Sequence, residues 1–142
     1  MDTGPGAPVP TLTRLAGPTH AVLRIVAGLL FFCHGTQKLL GWFGGLPPGV
    51  PLAGLTLAAG VIEFVGGALI FFGLFTKPAA FVCAGEMAVA FFKAHFPAAF
   101  WPLQNHGEPA VLYCFIFLFL WANGAGPWSL DRWIVKQRTP AL

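Results

Sequence analysis

The sequence predicts an all-α protein, specifically an integral membrane four-helix bundle with both termini in the cytoplasm. Two numbers favour a membrane: 56% of the 142 residues are hydrophobic and only 9% are charged, whereas a soluble domain has roughly 25% charged residues. The third observation is that the apolar residues form four long runs separated by segments rich in proline and glycine. So few charges cannot cover a globular surface in water, and a bilayer is therefore the expected solvent.

The four apolar runs are the expected membrane spans. They extend over residues 18–43, 52–75, 78–96 and 109–125. Each run is close to the ~20 residues that an α-helix needs to cross a ~30 Å hydrocarbon core. None has the polar stripe that a helix of a water-soluble bundle requires. We expect a membrane domain over residues 18–127, a flexible tail before it at 1–17, and an interfacial tail after it at 128–142.

The basic residues near the ends of the runs predict the orientation. Lysine and arginine concentrate in the short loops that stay in the cytoplasm. Five such residues precede the first span, separate the second from the third, or follow the fourth: Arg14, Lys77, Arg132, Lys136 and Arg138. Both termini are therefore expected inside, and residues 129–136 could form an amphipathic helix along the inner surface. The basic residues are too scattered for a nucleic-acid interface.

Three ionisable residues interrupt the apolar runs: Arg24, Glu63 and Glu86. A charge at the centre of a bilayer costs at least ~2.5–3.5 kcal/mol, so such residues usually face the protein interior and mark a site. At 100° per residue, Arg24 shares an arc of about 120° with His34 and Lys38. Lys93 lies on the same face of its helix as Glu86, whereas His95 falls about 180° from Glu86 and is expected at the membrane interface. Estimated depths predict a structural ion pair between Arg24 and Glu86, and an Arg24–Glu63 pair stays open as an alternative.

Lys38 and Lys93 share a shallower level near the outer ends of their helices, where no internal carboxylate is left for them. The expected partner is an anionic or carbonyl-bearing ligand, such as a quinone head group. Glu108, at the start of the fourth span, is the competing partner and completes the predicted binding set. His34 and Glu63 are expected to transfer protons, because imidazole has an ordinary pKa near 6.5. The alternative is that these ion pairs only fix the register of the helices.

No intrinsic metal or cofactor site is predicted. Cys33, Cys83 and Cys114 lie inside apolar runs at spacings that match no zinc or thioredoxin motif, so packing is their expected role. His34, His106 and Glu108 have no metal-ligand spacing to support a site. The chain has no haem ligand pair and no flavin or nicotinamide motif. A quinone is the one cofactor that the sequence suggests.

The segments HGTQKLLGWFGG at residues 34–45, EFVGGAL at 63–69 and NHGE at 105–108 follow one another along the chain. They resemble, in the same order, motifs of the DoxX family of small four-helix bacterial membrane proteins, and the first is the most specific. The resemblance extends over roughly residues 20–130, so residues 18–127 are expected to be a DoxX-like domain. The motif positions here are Arg24, His34, Lys38, Glu63 and Glu108. The resemblance implies a bacterial cytoplasmic membrane and a relation to a thiosulfate:quinone oxidoreductase subunit.

The favoured function is an integral membrane subunit of a bacterial redox system that binds a quinone or a small anion in the outer half of the bundle. Membrane lipids and either other membrane subunits or further copies of the chain are the expected partners. The alternative is a non-catalytic accessory subunit packed against a larger respiratory or photosynthetic complex. A solute transporter is less favoured, because the sequence has neither broken helices nor inverted repeats.

Overall fold

A computed structural model of the chain describes residues 10–138, with side chains for residues 14–137. Within that range the fold is helical and has no strand, so the predicted all-α class is confirmed. A 3₁₀ turn, Trp42–Gly44, follows the first helix, and a π-helical segment, Phe91–His95, continues the third. The six α-helices are α1 (Pro10–Leu40), α2 (Gly54–Phe72), α3 (Thr76–Ala90), α4 (Pro102–Asn105), α5 (Glu108–Asn123) and α6 (Leu130–Arg138).

Helices lie at all four of the predicted spans. Among the described residues, two helices are long and apolar enough to cross a membrane on their own: Arg14–Leu40 within α1, and Gly54–Phe72, which is α2. Helix α5 is apolar but shorter. Helix α3 reaches a comparable length only together with the π-helical segment, which extends it to His95.

Helix α1 begins at Pro10, eight residues before the predicted start of the first span at residue 18. Proline is well suited to the first position of a helix, where its missing N–H would have no partner. The helix also continues through Pro18, although that residue has no N–H to donate to the preceding turn. Residues 10–17 are less apolar than the span that follows, so hydropathy did not predict that the helix includes them. Residues 1–9 of the predicted tail lie outside the described residues.

Helix α1 packs against α2, and α3 packs against α5. Glycines allow the first pair to approach closely, as small residues do in membrane helices. A Cβ atom added to Gly28 would lie 2.5 Å from the backbone nitrogen of Phe71, and one added to Gly67 would lie 2.5 Å from that of Phe32. Gly35 is equally close to the backbone of Phe64. These two helices can therefore pack this closely only with glycine at these positions.

The two helix pairs share a buried apolar core. Ile70 of α2 lies fully buried with Phe31 of α1, and Phe117 and Leu120 contribute from α5. The rings of Phe31 and Phe117 make an edge-on contact with centroids 4.7 Å apart. The helix predicted for residues 129–136 is confirmed by α6, Leu130–Arg138. Residues 139–142 lie outside the described part of the chain.

Candidate functional site

A cavity of about 780 Å³ is lined by α1, α2, α3 and α5, close to the loop that follows α1. Its volume is within the ~300–1,000 Å³ of typical small-molecule sites. Five of the seven predicted site residues line it: His34, Lys38, Glu63, Glu86 and Lys93. Arg24 and Glu108 are not among its lining residues. The structure thus brings together most of the ionisable residues that the spans carry.

Lys38 and Glu63 form an ion pair at the boundary between α1 and α2. Lys38 Nζ donates hydrogen bonds to both carboxylate oxygens of Glu63, at 2.7 and 2.6 Å. The Glu63 side chain is 4% exposed and that of Lys38 is 21% exposed. The expectation that Lys38 lacks an internal carboxylate is therefore wrong, because α2 packs closely on α1 and brings Glu63 within its reach. An ammonium group has three N–H donors, so one of them stays available to a ligand.

The carboxyl group of Glu86 also lines the cavity. Its Oε2 atom is buried and has no hydrogen-bond partner among the described residues. The predicted pair between Arg24 and Glu86 is wrong, because the one ion pair found in the described part of the chain joins Lys38 to Glu63. A buried polar atom without a partner is costly and calls for an explanation. A ligand in the cavity is one such explanation.

Arg24 lies elsewhere, at the end of α2, and binds backbone carbonyl oxygens. It is fully buried. Its Nη1 donates to the carbonyl oxygens of Ile70 and Phe71 at 2.7 and 2.6 Å. Its Nε donates to Ala125 at 2.9 Å and its Nη2 to Trp128 at 2.7 Å. The last carbonyls of a helix have no partner within it, so the planar guanidinium group caps α2 and ties it to the segment before α6. We call these five residues the Arg24 junction.

Asp131 completes the connection at the start of α3. Its carboxylate oxygens accept hydrogen bonds from the backbone N–H groups of Phe75 and Thr76 at 2.8 and 2.9 Å. Its own N–H donates to the carbonyl oxygen of Gly73 at 2.8 Å. A carboxylate at a helix N-terminus is stabilising. The short turn between α2 and α3 is therefore held by both Arg24 and Asp131. No sequence pattern indicated this role for Asp131.

Tyr113 of α5 lines the cavity and was not predicted. Its ring lies edge-on to that of His34, with centroids 6.3 Å apart, and stacks on Phe117 at 5.6 Å. It is the one tyrosine of the sequence. A phenol in an apolar span needs a hydrogen-bond partner, and this was the signal that could have identified it.

The π-helical segment changes which residues face the cavity. Phe96 donates its N–H to the carbonyl oxygen of Phe91 at 2.8 Å, five residues back. The wider turn alters the 100° step on which the sequence prediction relied. His95, which was expected at the membrane interface on the face opposite Glu86, therefore lines the cavity together with Lys93. Its Nδ1 lies 3.0 Å from the carbonyl oxygen of Asn105.

Glu108 does not compete for Lys38 or Lys93. It is exposed at the first position of α5 and is not among the residues that line the cavity. The described residues therefore show no ion pair between Glu108 and either lysine. A carboxylate at the start of a helix is stabilised in that position. His106 is also exposed. Within residues 14–137, no group of three His, Cys, Asp or Glu side chains is close enough to hold a metal ion.

The walls of the cavity are mainly apolar, with a few polar side chains among them. Phe31, Ile62 and Met87 line the interior. Two lysines and two glutamates are among the polar residues of the lining. Polar groups on an apolar wall orient a ligand and select it. The cavity is therefore suited to a molecule that is largely apolar and offers hydrogen-bonding atoms to several sides.

Comparisons with known proteins agree with this description of a membrane protein. The model of the DoxX family matches residues 19–96. A protein of Haemophilus influenzae named "Uncharacterized protein" is 42% identical, over 82% of this chain and 91% of its own length. "Uncharacterized membrane protein Rv3486" of Mycobacterium tuberculosis is 30% identical, over 96% and 95%. "Putative oxidoreductase CatD" of Bacillus subtilis is 28% identical, over 82% and 87%. No solved structure matches the chain.

Proposed function

The chain belongs to the DoxX family of membrane proteins, and from this premise we propose that it is a quinone-binding integral membrane subunit of a bacterial redox system. The single observation that carries the proposal is the 780 Å³ cavity, with its apolar walls and its converging ionisable groups. The relative named as an oxidoreductase supports the redox assignment. A quinone supplies reversible two-electron chemistry to such a system when it is bound.

The chemistry of a quinone fits the donors that line the cavity. Its ring is flat and apolar and its carbonyl oxygens accept hydrogen bonds. The ammonium of Lys93 and the hydroxyl of Tyr113 are donors, and His34 offers a ring N–H. The third N–H of Lys38 is a further donor. These groups come from three different helices and so reach a ligand from several sides.

The Lys38–Glu63 ion pair favours a quinone over the small anion that the sequence also allowed. A site for an anion needs uncompensated positive charge. Glu63 neutralises Lys38 at 2.6 Å, which leaves Lys93 as the one lysine of the cavity without an ion-pair partner among the described residues. A quinone needs hydrogen-bond donors and no uncompensated charge, so this ion pair does not count against it.

Proton transfer in this proposal involves His34, Glu63 and Glu86. Glu63 is held by Lys38, so it exchanges protons with the ligand through that ammonium group. Glu86 has a buried oxygen free to bond a ligand hydroxyl directly. His34 lies on the same cavity wall as Lys38. The reduced form of a quinone carries two hydroxyl groups, and these three side chains can accept and return their protons.

The proposal places α1, α2, α3 with its π-helical extension, and α5 across the bacterial cytoplasmic membrane as a four-helix bundle. Lysines and arginines flanking the helices support an orientation with both termini inside. The cavity would then open toward the outer half of the membrane. Ligands would come from the pool dissolved in the bilayer.

The direct test is quinone binding by the purified chain. In detergent, a short-chain ubiquinone should raise the unfolding temperature of the wild type and bind with a measurable Kd. Glu86→Leu should weaken this binding about tenfold or more, corresponding to about 1.4 kcal/mol per factor of ten. Glu86→Gln keeps a polar side chain and should weaken it less. Glu108→Gln is the matched control, outside the cavity, and should leave the Kd unchanged.

Two results would count against the proposal. If the wild type binds no quinone while remaining folded and monodisperse, the accessory role in a larger complex becomes the better account. If Glu86→Leu and Glu108→Gln bind with the same Kd as the wild type, the quinone is held somewhere other than the cavity.

A further inference from the structure

A second concave site lies at the other end of α1, between the end of α2 and the start of α6. It is a groove of about 700 Å³. Ile25, Phe71 and Phe72 form one apolar wall, and Leu130 contributes from α6. Lys38 is fourteen residues beyond Arg24 along α1, about 21 Å at ~1.5 Å per residue, so the groove is well separated from the cavity described above.

The groove carries two cations on one side of α6. Arg132 and Lys136 are four residues apart, so they lie one above the other on the helix surface, and both line the groove. Neither has an ion-pair partner among the described residues. The neighbouring carboxylate, that of Asp131, is occupied by the N–H groups of Phe75 and Thr76. Among the described residues, no ion pair therefore compensates the positive charge of the groove.

Two tryptophans border the same groove. Trp128 and Trp133 are 63% and 58% exposed, and both belong to its lining. Indole rings favour the interface between lipid and water, where one end is apolar and the other is hydrated. An apolar wall, two indoles and two cations thus line a single groove. These are the three kinds of side chain that suit an acyl chain, an ester region and a phosphate group.

The groove is also held in a fixed shape. The carbonyl oxygen of Trp128 accepts the hydrogen bond from Arg24 Nη2, and Asp131 bonds the turn after α2. The first turn of α6 is therefore attached to α1, α2 and α3. Arg24 itself is fully buried and committed to carbonyl oxygens, so it does not bind a ligand here. The binding charge comes from α6 alone.

We propose that this groove is a binding site for one anionic phospholipid, with an acyl chain against Ile25 and Phe72 and the phosphate between Arg132 and Lys136. Charge complementarity selects the anionic head group, and the apolar wall selects a lipid over a soluble phosphate. The site is independent of the quinone proposal, since none of its residues lines the cavity. A lipid held here fastens α6 to the membrane surface.

The test is native mass spectrometry of the purified chain with dioleoylphosphatidylglycerol or dioleoylphosphatidylcholine. The wild type should retain one phosphatidylglycerol, with a Kd at least about tenfold lower than for phosphatidylcholine. The double variant Arg132→Gln/Lys136→Gln should lose this preference. The double variant Arg14→Gln/Lys77→Gln removes the same charge from exposed positions outside the groove and should keep it.

Three results would overturn the proposal. Equal Kd values for the two lipids would show that the cations do not select the head group. If both double variants lost the preference for phosphatidylglycerol equally, the preference would come from the overall surface charge and not from a specific site in the groove. Competition by inorganic phosphate at millimolar concentration would show a soluble anion as the ligand. The quinone Kd should be the same in both double variants, so failure of this proposal is separate from failure of the other.

Discussion

Arg24→Met is expected to remove most of the stability of the folded chain, by about 4 kcal/mol or more. Arg24 is fully buried and donates to four backbone carbonyl oxygens at 2.6 to 2.9 Å. Each buried acceptor left without a donor costs about 1–3 kcal/mol. Methionine fills a similar volume and adds no unpaired charge, so the loss reports the hydrogen bonds. Unfolding temperature and the yield of monodisperse protein in detergent measure it.

Two further variants make the result interpretable. Arg24→Lys retains the charge but cannot reproduce the planar fork, and it should recover only part of the loss. Arg14→Met removes an exposed arginine of the same helix and should change the unfolding temperature little. If all three variants unfold at the wild-type temperature, the Arg24 junction is not what holds α2 to the segment before α6.

Lys38→Met is expected to cost about 3–5 kcal/mol, because it leaves the carboxylate of Glu63 buried without its counter-charge. Glu63 is 3% exposed. The double variant Lys38→Met/Glu63→Leu should regain much of this loss, since a pair of apolar side chains needs no counter-charge. The wild type, Lys38→Met, Glu63→Leu and the double variant form a double-mutant cycle. Unfolding in detergent measures their stabilities, and the expected coupling energy is about 2 kcal/mol or more.

The same cycle separates the structural from the functional role of the pair. If the ion pair serves quinone binding, the double variant should regain stability but still bind short-chain ubiquinone at least about tenfold more weakly than the wild type. A double variant with wild-type stability and wild-type Kd would show that Lys38 and Glu63 only fix the register of α1 against α2. If the single and double variants were all as stable as the wild type, the ion pair would contribute nothing to the stability of the fold or to the register of α1 against α2.

The sequence located the helices better than their ends. Apolar runs predict α2 and α5 within a few residues, because hydropathy changes sharply at the proline and glycine segments beside them. The start of α1 at Pro10 was missed, since residues 10–17 are not strongly apolar. Helix α4, four residues long, lies in a loop whose composition gives no helical period.

The sequence predicted most of the ionisable residues that line the cavity, but not which of them pair. Helical periodicity correctly grouped His34 with Lys38, and Glu86 with Lys93, on faces that line one cavity. Which side chains pair depends on how two helices are placed against each other, to within a few ångströms. The helical periodicity of a sequence carries no information on this placement. The partners of Arg24 are backbone carbonyl oxygens, present at every residue, so no side-chain pattern could reveal them.

Local departures from regular helix explain the remaining differences. The prediction for His95 failed because the π-helical segment Phe91–His95 changes the angle between successive side chains. No residue type marks such a segment in a sequence. Tyr113 could have been found by asking where a lone phenol in an apolar span obtains its hydrogen bond.

The most direct measurement of the central claim is photoaffinity labelling of the purified chain with an azido-quinone, followed by mapping of the modified residues by mass spectrometry. We expect labels to concentrate on the segments 31–38, 46–63, 86–95 and 109–113, from which the cavity is built, and an excess of unlabelled ubiquinone to suppress them. Labels spread over the outward-facing residues of the helices, and insensitive to unlabelled quinone, would contradict the claim that this cavity is a quinone site.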